Sequence, residues 1–252
     1  MADEANTGKK LEVVHDGVRY QRIPIKTKLV MADDDITEVV TTFAKDRLVD
    51  GDVLFITEKI VAITQGRSYP TESIKARPLA VRLSNHVTKT PNGIGLGLPQ
   101  TMEMALRECG TPRILLAAAV AAVTKLFGRR GDFYRVAGPK ARGIDGPTSG
   151  TIPPYNGHVV LAPDNPGRVA SDLRSAFARN IEVMVVDIND LGGNVLGSTL
   201  DRAATRAMEK VLRDNPLGQG RESTPMGIIR RVPEPATGSP ASSTVSPEDE
   251  EL

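Results

Sequence analysis

The sequence predicts a mixed α/β fold, and three observations lead to that prediction. Short apolar runs typical of strands alternate with segments that carry helix-capping patterns, and Gly or Pro turns separate them. Apolar residues make up 40% and charged residues 25% of the 252-residue chain, as in a globular protein with a core. The folded domain is expected over residues 16–232, between two segments expected to be disordered, 1–15 and the Pro/Ser-rich acidic tail 233–252.

The elements of the first half can be assigned from local signals. Asp35 and Glu38 have the spacing of a capping box, which predicts a helix start at this point. Residues 53–56 follow a Gly-Asp turn and have the apolar composition of a buried strand. Pro99 is expected to open a further helix, which Gly110 closes.

The longest apolar run, residues 114–123, contains only Ala, Ile, Leu and Val. It is well short of the about 20 apolar residues that span a bilayer. Its alanines favour a helix, and Gly128 is a suitable stop. Because such a helix is apolar on all sides, we expect it in the core or in an oligomer interface.

The second half reads as a β-α-β-like stretch followed by one more helix. Asp164 and Pro166 mark a helix start, and Ser198 and Asp201 mark the next. The predicted elements are a strand at 158–162, a helix from there to about 178, a buried strand at 181–186, and a last helix to about 213.

Composition excludes several function classes. The formal net charge is +1, from 32 basic and 31 acidic residues, so nucleic acid and anionic membranes are not expected partners. The single cysteine, Cys109, can form neither an intrachain disulfide nor a thiolate zinc site. The N-terminus lacks the apolar core of a signal peptide, so a cytoplasmic protein is expected.

The Gly-rich segment 88–97 has glycines at positions 93, 95 and 97, directly before a predicted helix start. Glycines let backbone N–H groups approach a phosphate, and a helix N-terminus favours an anion. The segment matches neither the P-loop nor the G-x-G-x-x-G pattern. Phosphate binding, with Lys89 as the counter-charge, and a tight structural turn therefore both remain open.

Three acidic or amide side chains, Asp187, Asn189 and Asp190, follow the predicted strand 181–186. Such oxygen ligands suit Mg²⁺ or Mn²⁺, although an Asx-turn explains the same residues. Asp145, in an Arg-Gly-Ile-Asp segment, is likewise either a turn residue or a metal ligand.

Two cations follow apolar segments of the first half. Lys59 comes shortly after strand 53–56, and Arg67 ends a Gln-Gly-Arg triplet. Either could contact phosphate, whereas a solvated surface role is the usual one for such residues.

Several of these segments, in this order and spacing, resemble the coenzyme F-420-0:L-glutamate (gamma-glutamyl) ligase family. The resemblance covers roughly residues 20 to 230. It is carried by Arg22-Ile-Pro-Ile-Lys26, Gly51-Asp-Val-Leu-Phe-Ile-Thr-Glu-Lys59, Gln65-Gly-Arg67, Arg142-Gly-Ile-Asp145 and Val185-Val-Asp-Ile-Asn-Asp190. The segments 87–97, 215–220 and 224–227 are similar to a divergent branch of that family.

The resemblance implies a gamma-glutamyl-ligase-like fold with mixed and antiparallel sheets, working as an intertwined homodimer. It implies a GTP-dependent ligase that joins the amine of L-glutamate to a small-molecule carboxylate, with Mn²⁺ or Mg²⁺ and with K⁺ as a further ion; ATP stays open in place of GTP. By the same resemblance, nucleotide contacts fall on Ile23, Pro24, Ile25, Lys59 and Thr148. Metal ligands fall on Asp145 and on Asp187, Asn189 or Asp190.

The chemistry of such a ligase fits these residue types. A carboxylate becomes reactive toward an amine once phosphorylation has given it a leaving group, and phosphoryl transfer depends on positioning and charge neutralisation. Lys59, Arg67 and Lys89 would neutralise phosphate charge. Two alternatives stay open: a non-catalytic nucleotide-binding or regulatory protein of the same fold, and a metal-dependent phosphohydrolase.

Overall fold

The structure is a computed structural model that describes residues 3–87, 95–129, 131–190 and 192–233. Strands and helices alternate along these ranges. The strands are β1 (Glu12–His15), β2 (Val18–Ile25), β3 (Val53–Thr57), β4 (Ser68–Pro70), β5 (His158–Val160), β6 (Glu182–Asn189), β7 (Gly192–Ser198) and β8 (Met226–Val232). The α-helices are α1 (Ile36–Ala44), α2 (Glu58–Thr64), α3 (Pro78–Ser84), α4 (Pro99–Cys109), α5 (Thr111–Leu126), α6 (Asp132–Ala137), α7 (Pro139–Arg142), α8 (Pro166–Ser175) and α9 (Arg202–Val211).

Six strands form one mixed sheet in the order β1-β2-β8-β3-β6-β7. Its central neighbours β3 and β6 run parallel, and the other neighbouring pairs are antiparallel. A second, two-stranded sheet joins β4 to β5. The predicted mixed α/β fold with mixed and antiparallel sheets is therefore confirmed.

The sheet begins earlier in the chain than the sequence predicts, because β1 lies inside the segment 1–15 that was expected to be disordered. A two-residue turn at Asp16-Gly17 joins β1 to β2, and both turn residues have the positive φ typical of tight hairpins. The segment before β1 is also held in place. Arg22, buried in β2, donates from Nη2 to the carbonyl oxygen of Lys10 at 2.7 Å.

The capping signals in the sequence are confirmed by hydrogen bonds. The Asp35 side chain accepts a bond from the Glu38 backbone N–H at 2.9 Å and starts α1. At α9 the cap is the second residue of the predicted box: the Asp201 side chain accepts from the Ala204 N–H at 2.8 Å, whereas Ser198 ends β7. Gly110, at a φ of +83°, ends α4.

Boundaries in the second half differ from the predicted ones by a few residues. β5 stops two residues short of the predicted end, and α8 ends at Ser175 rather than near 178. The strand predicted at 181–186 continues to Asn189, because its end pairs with β7 in a hairpin. This extension moves Asp187 and Asn189 from a loop into the sheet.

The apolar run 114–123 lies in α5 as predicted, but only Ile114 and Ala117 of that helix are buried in the chain. The helix packs on α4 and α6 through one stripe. Its other face exposes Leu116, Val123 and Leu126, the last of these 84% exposed, and Phe127 continues the apolar surface beyond the helix. The protomer core therefore does not account for the apolar composition of this helix.

Three hydrophobic clusters support these elements. One face of the large sheet packs on α1, α2 and α8. The opposite face packs on α9. The third cluster lies among helices α3 to α7 and strand β5. Within the described ranges, no single helix is long and apolar enough to cross a membrane, and only the α4–α5 pair, bent by 118°, meets those criteria jointly.

Candidate functional site

A cavity of about 1130 Å³ lies at the carboxyl ends of β3 and β6. Because these two strands are parallel neighbours, the residues that follow each of them meet at the same sheet edge. The rest of the wall comes from three other segments of the chain, residues 27–30, 142–152 and 215–225. The cavity therefore collects residues that are far apart in sequence.

Strand alternation places Asp187 toward the site. In β6, Val183 and Val185 face the cluster that includes α2, and Met184 and Val186 face the opposite cluster. Successive side chains of a strand alternate, so Asp187 and Asn189 continue the Val183–Val185 face. That face carries the start of α2, directly after β3.

Asp145 is fixed by its backbone. Its N–H donates to the Val160 carbonyl at 2.8 Å, and its carbonyl accepts from the Val160 N–H at 3.0 Å. The carboxylate Oδ2 then lies 3.1 Å from Nζ of Lys59. Two residues that the sequence assigned to metal and phosphate are thus an ion pair inside the cavity.

Glu58 lies beside Lys59 and Asp145 in the cavity and was not predicted from the sequence as a site residue. It is the first residue of α2, it lines the cavity, and it accepts no hydrogen bond from any residue that the structure describes. The pKa of Glu58 is raised from 4.5 to about 9, chiefly by burial and in addition by the carboxylates of Asp187 and Asp145, while Lys59 opposes them. Its carboxyl group is therefore protonated at neutral pH.

Position directly after strand β3 was the sequence signal that could have indicated Glu58. We assigned that signal to the neighbouring residue Lys59, as a contact for phosphate. Gly143 supports the close packing at this point, because a Cβ there would lie 2.7 Å from the Ala162 Cβ and 3.7 Å from Glu58 Oε2. The loop that carries Asp145 can therefore pack this closely on Ala162, beside Glu58, only with glycine at that position.

Asp187 shares the same electrostatic environment. Burial raises its pKa, and the nearby carboxylate of Asp145 raises it as well. Three carboxyl groups thus surround a single lysine, and we call this group the carboxylate cluster: Glu58, Asp145 and Asp187, with Lys59. Because Glu58 is protonated at neutral pH, Asp145 and Asp187 carry the negative charge of the cluster.

Asp190 also lines the cavity, but its environment is different. Its Oδ1 accepts hydrogen bonds from Lys9 Nζ at 2.7 Å and from Asn215 Nδ2 at 3.2 Å. These bonds, above all the one from Lys9, lower the pKa of Asp190. The Oδ1 atom of Asp190 thus already accepts two hydrogen bonds from the protein itself.

The remaining predicted residues divide into three groups. Thr148 and Asn189 line the cavity. Arg67 does not, because its Nε donates to the Ala162 carbonyl at 2.6 Å and its Nη2 to Glu108 at 2.7 Å. Lys89 lies outside the described residues.

The predicted nucleotide contact at Ile23, Pro24 and Ile25 is not at the cavity wall. Ile23 and Ile25 are 1% exposed in the core, and all three residues pair with β8. The wall begins only at Thr27, two residues further on. The carbonyl oxygen of Pro24 accepts a hydrogen bond from Arg47 Nη1 at 3.1 Å, and proline has no backbone N–H to offer a nucleotide.

The donor chemistry of the cluster fits a hard divalent cation. Among the residues that the structure describes, no group of three or more His, Cys, Asp and Glu side chains is arranged as a complete metal site. Mg²⁺ and Mn²⁺ need less than that, since one or two carboxylates suffice when water and substrate phosphates supply the other oxygens. A cation would also offset the repulsion that raises the pKa of Glu58 and Asp187.

Basic residues line the wall around the cluster. Lys28, Lys59 and Arg142 are all on the lining. Lys28 is paired with Asp34 and Lys59 with Asp145. Arg142 is exposed and forms no ion pair within the described part of the chain, so it is available to an anionic ligand.

Comparison with known proteins adds one finding. The model of a family described as F420-0:Gamma-glutamyl ligase matches residues 24–195, which is more than half of the chain. No curated protein matches the sequence. The matched range contains the whole carboxylate cluster, and it ends before the cavity wall at 215–225.

Proposed function

The chain belongs to the F420-0:gamma-glutamyl ligase family, and from this membership we propose that it is a nucleotide- and metal-dependent amide ligase. The reaction would join the amine of an amino acid, L-glutamate first, to a small-molecule carboxylate through an acyl phosphate. GTP is the nucleotide that family membership favours, with ATP as the alternative.

One observation carries the proposal: Lys59, Asp145 and Asp187 meet at the end of two parallel strands in a single cavity. Carboxylates and a lysine at one point are what phosphoryl transfer needs, because its catalysis consists mainly of positioning and charge neutralisation. The cavity, at about 1130 Å³, has room for more than one small ligand.

The residues would divide the work by charge. Asp145 and Asp187 would hold Mn²⁺ or Mg²⁺, which when bound neutralises charge on the transferred phosphoryl group. Lys59 would then exchange its partner Asp145 for a phosphate oxygen, and Arg142 would contact a second phosphate. Thr148 lies on the same wall and offers a hydroxyl to the nucleotide.

The amine itself would act as the nucleophile. In the first step the acceptor carboxylate would take the terminal phosphoryl group and the nucleoside diphosphate would leave. In the second step the amine would attack the acyl carbon, the C–N bond would form, and the C–O bond to phosphate would break, so that inorganic phosphate leaves and carries the proton lost from nitrogen. No side-chain nucleophile takes part. Cys109 agrees with this, since it lies off the cavity wall and burial raises the pKa of its thiol.

Thermal unfolding with nucleotide and metal tests the proposal. Wild-type protein is melted with GTP or ATP, each with and without Mn²⁺ or Mg²⁺. We expect a rise in the midpoint that requires both components, because a ligand at 100 times its Kd adds about 2.7 kcal/mol. Asp187→Asn should remove that rise, whereas the distant, exposed Glu72→Gln should keep it.

Phosphate release then separates the ligase from other activities. Release that depends on both an amino acid and a carboxylate acceptor supports the ligase. Release from a phosphorylated compound without any amine would instead indicate a phosphohydrolase. Saturable nucleotide binding without release in any mixture would indicate a regulatory protein.

We also propose a homodimer, formed through the exposed apolar face of α5. Leu116, Val123, Leu126 and Phe127 are more than half exposed there, and apolar patches of this kind are typical of interfaces. Sedimentation of wild-type protein should give a dimer that Leu126→Glu converts to monomer. Val14→Glu changes an exposed valine in β1, outside this apolar face, and should leave the dimer intact. A monomeric wild type would contradict the proposal.

A further inference from the structure

The loop after α9, residues 212–225, forms a wall of the cavity that the family match does not cover. Asn215 in this loop is 1% exposed. Its Nδ2 donates to Asp190 Oδ1 at 3.2 Å and to the Gly218 carbonyl at 3.0 Å. Both donors face acceptors, so the amide orientation is determined and Oδ1 is left buried with no hydrogen-bond partner.

A buried acceptor without a donor is uncommon, because it has lost its water and gained nothing in return. An N–H group from a ligand would satisfy it. Since Oδ1 is fully buried, the loop must shift slightly to admit that group. Gly218 and Gly220 provide the backbone freedom for such a shift, and Gly218 already has a φ of +72°.

Glu222 lies on the same wall and is also without a partner. Its carboxylate folds back on the loop, so that a Cβ on Gly220 would lie 2.5 Å from one of its oxygens. Within the described ranges it forms no hydrogen bond or ion pair. Among the described residues of this loop that line the cavity, it is the only charged one. The neighbouring Arg221 is not on the lining, and its Nη2 donates to the Ser149 carbonyl oxygen at 3.0 Å.

The two walls of the cavity therefore suit ligands of opposite charge. Lys28, Lys59 and Arg142 lie on the side that would hold phosphate. The Asn215–Glu222 side offers a buried amide oxygen without a donor and one negative charge, and its lining residues include no cation. A cationic or N–H-rich group fits this side, and a second phosphate does not.

A lysine of the chain itself shows that this wall accepts a primary ammonium. Lys9 places Nζ 2.7 Å from Asp190 Oδ1 and 3.2 Å from the Asp214 carbonyl oxygen. Its side chain is only 17% exposed in that position. Because Lys9 neutralises Asp190, the acceptors left for a second ammonium are Asn215 Oδ1 and the Glu222 carboxylate.

We propose that Asn215 and Glu222 form the subsite for the ammonium group of the amino-acid substrate. The inference rests on the proposed ligase function and names the residues that recognise its amine. The subsite would hold the amine across the cavity from the phosphate-binding residues.

Binding of paired probes tests this subsite. The full chain, loaded with Mn²⁺ and a non-hydrolysable GTP analogue, is titrated calorimetrically with each of the twenty standard amino acids, including L-glutamate. The tightest binder is then compared with its N-acetyl derivative, which keeps the carboxylates and lacks the ammonium. We expect at least tenfold weaker binding of the N-acetyl compound.

Variants localise the effect. Glu222→Gln should weaken the amino acid by tenfold or more and change the N-acetyl compound less than twofold. Gly220→Ala keeps all charges but displaces the Glu222 carboxylate by contact, and should produce a smaller loss in the same direction. Glu72→Gln, exposed and off the cavity, serves as the matched control, and melting curves verify that each variant is folded.

Three results would overturn the inference. One is an equal loss of binding affinity for the amino acid and for its N-acetyl derivative in the Glu222→Gln variant. Another is a change in that variant's preference for GTP over ATP with unchanged binding of the amino acid, which would assign this wall to the guanine base. The third is binding of nucleotide and Mn²⁺ with none of the twenty amino acids. Absence of nucleotide binding as well would contradict the proposed function itself, so the two failures are distinguishable.

Discussion

Asp187 and Asp190 are three residues apart, and both line the same cavity, yet their surroundings have opposite effects on their pKa. Burial and the carboxylate of Asp145 raise the pKa of Asp187. Hydrogen bonds from Lys9 and Asn215 lower the pKa of Asp190. Asp187 therefore lies among carboxyl groups with little positive charge beside them, whereas Asp190 itself is neutralised by the protein's own groups.

The difference separates a ligand site from a structural contact. Carboxyl groups that the fold leaves without donors can bind a cation, and their mutual repulsion is relieved when they do. Asp190 instead ties together the N-terminal segment, the hairpin after β6 and the loop at 215. Residue type alone cannot make this distinction, because both residues are aspartates that follow one another in a single motif.

The largest expected effect contrasts these two aspartates directly. Asp187→Asn should weaken Mn²⁺ binding in the presence of GTP by about 100-fold or more, since even partners outside the ligand shell cost 10–100-fold. Asp190→Asn should weaken it less than tenfold. Titration of Mn²⁺ followed by its electron paramagnetic resonance signal measures both, and equal losses would show that the comparison is wrong.

A second effect concerns stability at the carboxylate cluster. Glu58 holds a proton in the folded protein up to about pH 9, whereas the unfolded chain releases it near pH 4.5. The folded state thus binds more protons between these values, and the free energy of unfolding falls as pH rises through this window, by up to about 1 kcal/mol per pH unit.

Glu58→Gln removes that dependence. In metal-free protein with a chelator present, the variant should be more stable than wild type at pH 8, by a margin that shrinks toward pH 5. Urea denaturation at a series of pH values gives both curves. Parallel curves for variant and wild type would mean that Glu58 is solvated and ordinary.

The smallest effect on stability is expected at the ion pair between Lys9 and Asp190. Lys9→Met removes the ion pair with Asp190, whose side chain is about half exposed. Ion pairs of this kind contribute about 0.2–1 kcal/mol to the free energy of unfolding. Because the pKa of Asp190 is lowered in the folded state, this stabilisation is present at neutral pH and is lost as pH falls below about 4. Denaturation at pH 7 and pH 3 should show the difference only at pH 7.

The sequence predicted the fold well where signals are local. Asp35 and Asp201 cap the helices they were expected to start, and the runs at 53–56 and 181–186 are central strands. Local patterns carry such information because capping and strand alternation depend on neighbours within a few residues. The family resemblance, and not a local pattern, brought Lys59, Asp145 and Asp187 into one hypothesis.

The rest depends on contacts between distant segments. Nothing near Arg67 in sequence shows that its partners are Ala162 and Glu108, which hold it off the cavity. The value of Glu58 as a site residue arises only from its distance to carboxylates 87 and 129 positions away. Ile23 and Ile25 were assigned by resemblance, and their burial follows from the pairing of β2 with β8.

That pairing has a consequence for biosynthesis. Strand β8, the last of the described strands in the chain, lies between β2 and β3. The hairpin of β1 and β2 can therefore join the rest of the sheet only after β8 has left the ribosome. The residues that complete the cavity wall immediately precede this strand. A nascent chain can form local helices early, but the ligand site is assembled only after β8 has been synthesised, and a protein truncated before Met226 would lack the strand that joins β2 to β3.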